Sequence, residues 1–311
     1  MKKTMFLLLL LLNVQLFAQY TPCYYFLVNE ASFLASQEKY EESAVFYNKA
    51  FNLQSDGFVF HFIGAAKTFD QLGEGKKVYA FLEKAIQKGY TWEEIEKVDW
   101  KYFRKSRYWN KLNSKYLPLH NAFVLGIDKE TRDELLKMDY MDQFVRKNLN
   151  WDTKTFYTIL GKTDSANLVQ FKEMIEKKGF PDLQKLGYKE NFDKPFTLIL
   201  HFCKNDTTQY TYFNPIMQEA MKDGKFRPED YAGVTDMYTL TMDKKTLFCE
   251  PFKTYKDRKI AQISEIDRRR FSIGLIPLYQ LAQKKKITEL PEGYVPVSDE
   301  ELQKWCDCDK Q

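Results

Sequence analysis

Histidine is scarce in this chain, and the short motifs of several enzyme classes are absent. Only three histidines occur among 311 residues, at positions 61, 120 and 201, and this dispersion is unlike a histidine metal site. The sequence has no Gly-x-Ser-x-Gly, no phosphate-binding glycine loop, no Gly-x-Gly-x-x-Gly and no His-Glu-x-x-His. We therefore predict neither a metal nor a cofactor, and the sequence names no reaction.

An excess of charge of one sign is also lacking. Removing the predicted N-terminal leader takes two lysines and no acid from 47 basic and 43 acidic residues, which leaves a formal charge of +2. Apart from three arginines at 268–270, the signs are mixed along the chain. A nucleic-acid-binding protein needs a clustered basic surface, so we predict no nucleic-acid partner.

Cysteines are too few and too scattered for a disulfide scaffold. An odd number leaves at least one unpaired, and the sequence does not decide which of the others pair. The C-x-C near the C-terminus has no second cluster or histidine beside it, so a disulfide to a distant cysteine is favoured over a metal site. The five are Cys23, Cys203, Cys249, Cys306 and Cys308.

Long apolar runs are lacking except at the N-terminus. Lysines at positions 2 and 3 precede an apolar run over 5–12, which is the layout of a secretory signal and shorter than the ~20 residues of a membrane span. We predict a signal peptide over 1–19, cleaved after Ala18 or Gln19. Because the −3 residue would be large, an uncleaved anchor is the alternative. The expected product is exported, periplasmic or extracellular, with no membrane span after signal removal.

The chain does contain a weak internal repeat between residues 24 and 87. An offset of 35 pairs small residues with small ones and large residues with large ones in most of the matched positions. The segments 36–53 and 72–90 then read as the second helices of two helical hairpins. The matched pairs are Ala31 with Ala66, Leu34 with Phe69, Ser43 with Val78, Tyr47 with Leu82, and Ala50 with Ala85.

The pattern of Tyr40, Ser43, Tyr47 and Ala50 resembles the tetratricopeptide repeat family, although that family's tryptophan and closing proline are missing. The resemblance implies a stacked helical surface, over 20–118, that holds a protein or peptide partner. Because two repeats are fewer than the three or so that a free-standing array needs, we expect them to pack on the C-terminal part of the chain.

We predict a mainly α fold in which these hairpins pack on a second, mostly helical domain over 119–290, followed by a tail over 291–311. The boundary is placed where Pro118 interrupts the helical pattern. In the second domain we expect one helix capped by Asp164 or Ser165, another with Pro215 in its first turn, and a short hairpin within 245–263.

Four short motifs occur between residues 130 and 280: "DQFVR" (Asp142, Gln143, Arg146), "LILHF" (His201), "VTDMY" (Asp236) and "DRRRFSIGL" (Asp267, Arg270, Gly274, Leu275). Through these motifs residues 130–280 resemble an uncharacterised bacterial domain family. Where that family tends to show a Gln-Tyr-Gly-Thr turn, this chain has Leu-Phe-Cys-Glu-Pro-Phe at 247–252, so any binding by that turn would be altered or lost.

Two functional hypotheses follow. In the first, the protein is a binding module that holds a protein or peptide partner on the repeats, or a small anionic ligand through Gln143, Arg146, Asp267 and Arg270. In the alternative it is a hydrolase-like envelope enzyme. His201 is then the general base, Asp142 or Asp236 orients the ring, and Arg270 stabilises negative charge. A histidine held by a carboxylate in a packed core is the structural interpretation of the same residues.

Overall fold

The computed structural model describes residues 22–147, 151–187, 194–250 and 259–307. The predicted signal peptide and Cys308 lie outside the described residues. Within these ranges the fold is mainly α-helical, as predicted. The N-terminal part consists of α1 (Pro22–Ser36), α2 (Tyr40–Leu53), α3 (Val59–Gln71), α4 (Gly75–Ile86), α5 (Trp92–Lys97), a 3-10 turn (Phe103–Lys105) and α6 (Arg107–Gly126).

The second part continues the helical fold, with two very short strands. It consists of α7 (Lys129–Lys147), α8 (Thr153–Lys178), α9 (Leu183–Leu186), α10 (Lys194–Cys203), α11 (Thr207–Lys222), α12 (Pro228–Asp243), β1 (Lys245–Thr246), β2 (Lys259–Ile260), a 3-10 turn (Ile263–Glu265), α13 (Ile266–Ser272), α14 (Leu278–Lys284) and α15 (Asp299–Cys306).

The N-terminal helices form two consecutive hairpins, α1 with α2 and α3 with α4. All ten residues matched by the 35-residue offset are buried. Alanines allow the helix backbones to approach, and the Ser43 hydroxyl, which donates to the Ala31 carbonyl at 2.8 Å, ties α2 to α1. The second helices of both hairpins therefore lie where the repeat predicts them.

The first helix also joins the two parts of the molecule. Phe26, Phe33 and Leu34 of α1 pack in one buried cluster with residues of α14 and α15. The rings of Phe26 and Trp305 meet edge to face with centroids 6.2 Å apart. The hairpins are thus packed on the second helical part through α1, as expected for an array too short to stand alone.

The structure corrects several boundaries in the sequence analysis. Pro118 lies inside α6, where it does not interrupt the helix, and Pro215 likewise lies inside α11. The helix predicted to be capped by Asp164 or Ser165 is instead capped by Asp152, twelve residues before Asp164, which accepts a hydrogen bond from the Thr155 amide at 3.0 Å. The division into domains near residue 118 stays a prediction.

The two described strands of the irregular segment after α12 do not form the predicted hairpin. Strands β1 and β2 pair in parallel, Lys245 with Lys259 and Thr246 with Ile260, and a two-stranded hairpin is antiparallel by construction. Among the described helices, none combines the length and apolar character that a membrane crossing requires.

Candidate functional site

His201 lies in the last turn of α10, a helix that buries Leu198, Ile199 and Phe202 against the core. Its side chain is 15% exposed. The Nδ1 atom lies 3.0 Å from Oδ1 of Asp142, which projects from α7. Of the two carboxylates proposed to orient the ring, Asp142 is therefore the one in contact.

Asp142 is the centre of this cluster and is fully buried. Arg146, one turn further along α7, places Nη1 2.7 Å from Asp142 Oδ1, and the Gln143 amide donates to Oδ2 at 2.8 Å. The guanidinium of Arg146 also makes two hydrogen bonds to Asp164 of α8, at 3.0 and 3.1 Å. The cluster thus joins α7, α8 and α10 through paired charges.

The pairing with Asp142 sets the tautomer of the His201 ring. An ionised carboxylate only accepts hydrogen bonds, so Nδ1 carries the proton and Nε2 of the neutral ring carries the lone pair. Within the described residues Nε2 has no hydrogen-bond partner. The nearby Cys203 is buried, and burial raises the pKa of its thiol to about 12, which disfavours the nucleophilic thiolate.

Asp236 and Arg270 belong to a different set of hydrogen bonds, around the segment 247–250. No hydrogen bond or ion pair in the described residues joins either of them to His201. Asp236 is 1% exposed, and its carboxylate accepts hydrogen bonds from the backbone amides of Leu247, Phe248 and Glu250. Burial raises the pKa of this carboxyl, and the three amides partly oppose the rise.

Arg270 holds the same segment, 247–250, from the other side. Its guanidinium is buried and donates to the carbonyls of Phe248 and Ile276 at 2.5 and 2.7 Å, and it pairs with Glu250 at 3.3 Å. These contacts leave no open side from which an anion could reach the group. Cys249 lies in the segment that Asp236 and Arg270 bind. Its φ is +63°, a conformation that glycine adopts more easily.

Asp267 anchors the C-terminal tail. Its carboxylate accepts hydrogen bonds from the Leu278 amide at 2.8 Å, the Tyr294 hydroxyl at 2.7 Å and the Val297 amide at 3.2 Å. The neighbouring Gly274 docks on α1, where an added Cβ would lie 2.4 Å from Cβ of Tyr25. These residues of the "DRRRFSIGL" motif thus hold the end of the chain against its first helix.

A cavity of about 460 Å³ opens instead in the N-terminal helices. Its wall combines aromatic rings with hydroxyl and amide groups, a mixture typical of ligand pockets. It is formed by α1, α2, α3 and the segment after α5, and is lined by Ser32, Ala35, Ser36, Tyr40, Tyr47, Gly64, Lys67, Thr68, Asp70, Gln71, Val98, Asp99 and Trp100.

The charged groups of this cavity differ in how they are satisfied. Asp70 is buried, and its carboxylate accepts hydrogen bonds from the backbone amides of residues 101, 102 and 103, which fixes the segment that forms one wall. Lys67 and Asp99 are exposed and have no ion pair within the described part of the chain. They are the charges available to an occupant.

Sequence reasoning missed these cavity residues. Lys67 and Asp99 lie 32 positions apart, outside the offset that reveals the repeat, and neither belongs to a motif. Trp100 is buried and also lines the cavity from the segment after α5, and it belongs to no motif of the sequence analysis. The spacing of a 35-residue repeat signals that a concave surface forms, but not which side chains face it.

The described residues contain no group of three or more His, Cys, Asp or Glu side chains arranged to hold a metal ion. Cys23 is in a disulfide, whereas Cys203 and Cys306 are free and buried. No protein-family model, characterised protein or solved structure matches the chain.

Proposed function

We propose that the protein is an exported binding module that holds a segment of another polypeptide in the cavity of its N-terminal helices. The observation that carries the proposal is the contrast between this cavity and the predicted catalytic residues. The cavity presents two charges without ion pairs in the described residues, beside aromatic rings, whereas Asp142, Asp236, Asp267 and Arg270 are buried and bonded to other groups of the chain.

The size and lining of the cavity suit a peptide. A space of about 460 Å³ admits one or two side chains, and ligand pockets usually span roughly 300–1,000 Å³. Tyr40 and Trp100 supply surface for an apolar or aromatic side chain. Lys67 and Asp99 can meet charged or polar groups that flank it, which would set the orientation of the bound segment.

The test begins with peptides selected from a random seven-residue display library on the immobilised protein. Their affinities are then measured by fluorescence anisotropy for the wild type and for Ser36→Trp, which fills the cavity, and Lys67→Glu, which reverses its charge. We expect both variants to weaken binding at least about tenfold, the loss of one well-placed anchor of about 1.4 kcal/mol or more.

The matched control is Lys76→Glu, which makes the same charge change at an exposed position outside the cavity. It should leave the affinity unchanged. Melting temperatures of all variants establish that the cavity mutants are folded. Failure to select any peptide, or selected peptides that bind Ser36→Trp as tightly as the wild type, would refute the proposal.

A hydrolase centred on His201 is the second candidate. It is favoured by the pairing of Nδ1 with Asp142 while Nε2 has no partner in the described residues, which is the arrangement of a general base. The test is hydrolysis of p-nitrophenyl acetate and p-nitrophenyl phosphate by the wild type, His201→Gln and the control His120→Gln. A rate above buffer that only His201→Gln abolishes supports this candidate, and equal rates in all three proteins reject it.

A further inference from the structure

The hairpin formed by α7 and α8 ends in an exposed set of apolar side chains. No residue of α8 before Asn167 is buried, although this stretch contains Phe156, Tyr157 and Leu160. A helix normally buries its apolar stripe against a neighbour. The first turns of α8 therefore project beyond the part of the hairpin that packs on the core.

The outer face of α7 continues this surface. Phe144 lies one turn after Tyr140 and Met141 on α7, so the three side chains are neighbours on its surface. Tyr140 is 65% exposed, Met141 42% and Phe144 48%. The rings of Tyr140 and Phe144 stack with centroids 6.1 Å apart, and Phe144 meets Trp151 at 6.2 Å. We call Tyr140, Phe144, Trp151, Phe156 and Tyr157 the aromatic tip.

Lysines border the aromatic tip, and acidic groups around it are paired elsewhere. Asp142 and Asp164 bond to Arg146, and Asp139 pairs with Lys194 at 2.8 Å. The exposed Asp152 caps α8 through the Thr155 amide. Four exposed lysines have no ion pair within the described residues, and we call them the tip lysines: Lys137, Lys147, Lys154 and Lys162.

We propose that the aromatic tip and the tip lysines dock the protein on a lipid surface that carries anionic headgroups. Aromatic rings favour the boundary between headgroups and acyl chains, and each lysine near an anionic surface adds electrostatic attraction. A lipid layer can take up exposed rings without a complementary pocket. Lys137, Lys162 and Met141 also line a small cavity of about 240 Å³ between α7 and α8, beside the tip. This surface is remote in sequence from the peptide cavity, and the inference is independent of the proposed function.

The experiment is co-sedimentation of the purified protein with vesicles of phosphatidylcholine alone and of phosphatidylcholine with about 30% phosphatidylglycerol. We expect binding to the anionic vesicles at least about tenfold stronger than to the neutral ones, and weaker at high salt. The double variants Phe144→Ser with Tyr157→Ser and Lys147→Glu with Lys154→Glu should each lower it at least about tenfold.

Matched controls change the same residue classes elsewhere on the surface. Leu125→Ser removes an 87% exposed apolar side chain, and Lys76→Glu with Lys285→Glu reverses two exposed lysines. Both should bind vesicles like the wild type. A second readout is the tryptophan emission, whose blue shift on adding anionic vesicles should disappear in Trp151→Phe and persist in Trp92→Phe.

Three outcomes would overturn the proposal. Equal binding to neutral and anionic vesicles removes the role of the lysines. Binding that survives both tip variants places the contact elsewhere. No vesicle binding, together with a dimer in size-exclusion chromatography that the Phe144→Ser with Tyr157→Ser variant dissociates, would assign the tip to a second copy of the chain.

Discussion

The two parts of the molecule bury polar side chains in different ways, and the histidines show the difference. His61 and His201 both follow apolar residues and precede phenylalanine. His61 is 4% exposed, its Nδ1 lies 2.9 Å from the Tyr24 hydroxyl, and burial lowers its pKa to about 3. His201 instead contacts the carboxylate of Asp142. A similar local sequence therefore gives a neutral pair in one region and a charged cluster in the other.

Glu30 of α1 follows the pattern of the first region. It is 5% exposed, and burial raises the pKa of its carboxyl to about 7. The Gln280 amide donates to its Oε1 at 3.2 Å, whereas Oε2 of Glu30 and Oε1 of Gln280 have no partner in the described part of the chain. His61 and Glu30 are thus held neutral near pH 6, whereas Asp142 lies in contact with Arg146 and His201.

Of the substitutions that test this difference between the two regions, Asp142→Asn should have the largest effect on stability. Removing the charge leaves Arg146 and His201 facing a neutral amide, and breaking a buried pair typically costs about 3–5 kcal/mol. Urea unfolding at pH 7 measures the loss. The exposed Asp133→Asn is the control and should change stability by less than about 1 kcal/mol. A loss for Asp142→Asn no larger than the control's would mean that the cluster does not hold the three helices.

Glu30→Gln should stabilise the protein at pH 8. Because the folded pKa of Glu30 is raised from 4.5 to about 7, the folded state binds the proton more tightly than the unfolded state. The free energy of unfolding therefore falls as pH rises from 4.5 through 7, by at most about 3 kcal/mol. The glutamine variant escapes this loss, so its gain over the wild type should grow between pH 5 and 8. A constant difference at all pH values would contradict the assignment.

His61 should produce the opposite slope. Its folded pKa lies below the unfolded value of 6.5, so stability is complete above pH 6.5 and is lost as pH falls toward 3. Between pH 6.5 and about 4.5 the loss is about 3 kcal/mol. In His61→Gln this dependence of stability on pH should disappear. The remaining effect of Glu30 should then raise the free energy of unfolding as the pH falls. If the slope of His61→Gln matches that of the wild type, His61 is not the titrating group.

His201→Ala should have the smallest effect of the four. It removes one hydrogen bond to Asp142, which keeps Arg146 and Gln143 as partners, so we expect a loss of about 1–2 kcal/mol in urea unfolding at pH 7. His120→Ala is the control, because that ring is half-buried on α6 with no described hydrogen bond. An increase in stability would instead indicate that His201 is retained for function at a cost to the fold.

Much of the helical architecture could be predicted because it depends on local patterns. The offset of 35 located the second helices of both hairpins, and all ten of its matched residues are buried. The predicted start of α8 was wrong because its first turns bury nothing and carry no core periodicity, although the cap Asp152 was a usable signal. Pro118 and Pro215 misled because both lie inside helices that continue through them, although an interior proline removes one backbone hydrogen bond.

The candidate site was also predictable only in part. The sequence predicted that His201 lies among apolar residues on a helix and is held by a carboxylate, because a buried ring needs a polar partner. Only the tertiary structure decided that Asp142 is this partner and that Asp236 and Arg270 anchor the segment 247–250. Contacts between residues 59 positions apart depend on how helices cross, which no local pattern contains. The cavity and the aromatic tip also depend on the tertiary structure, because the exposure of a side chain is set by how the helices pack.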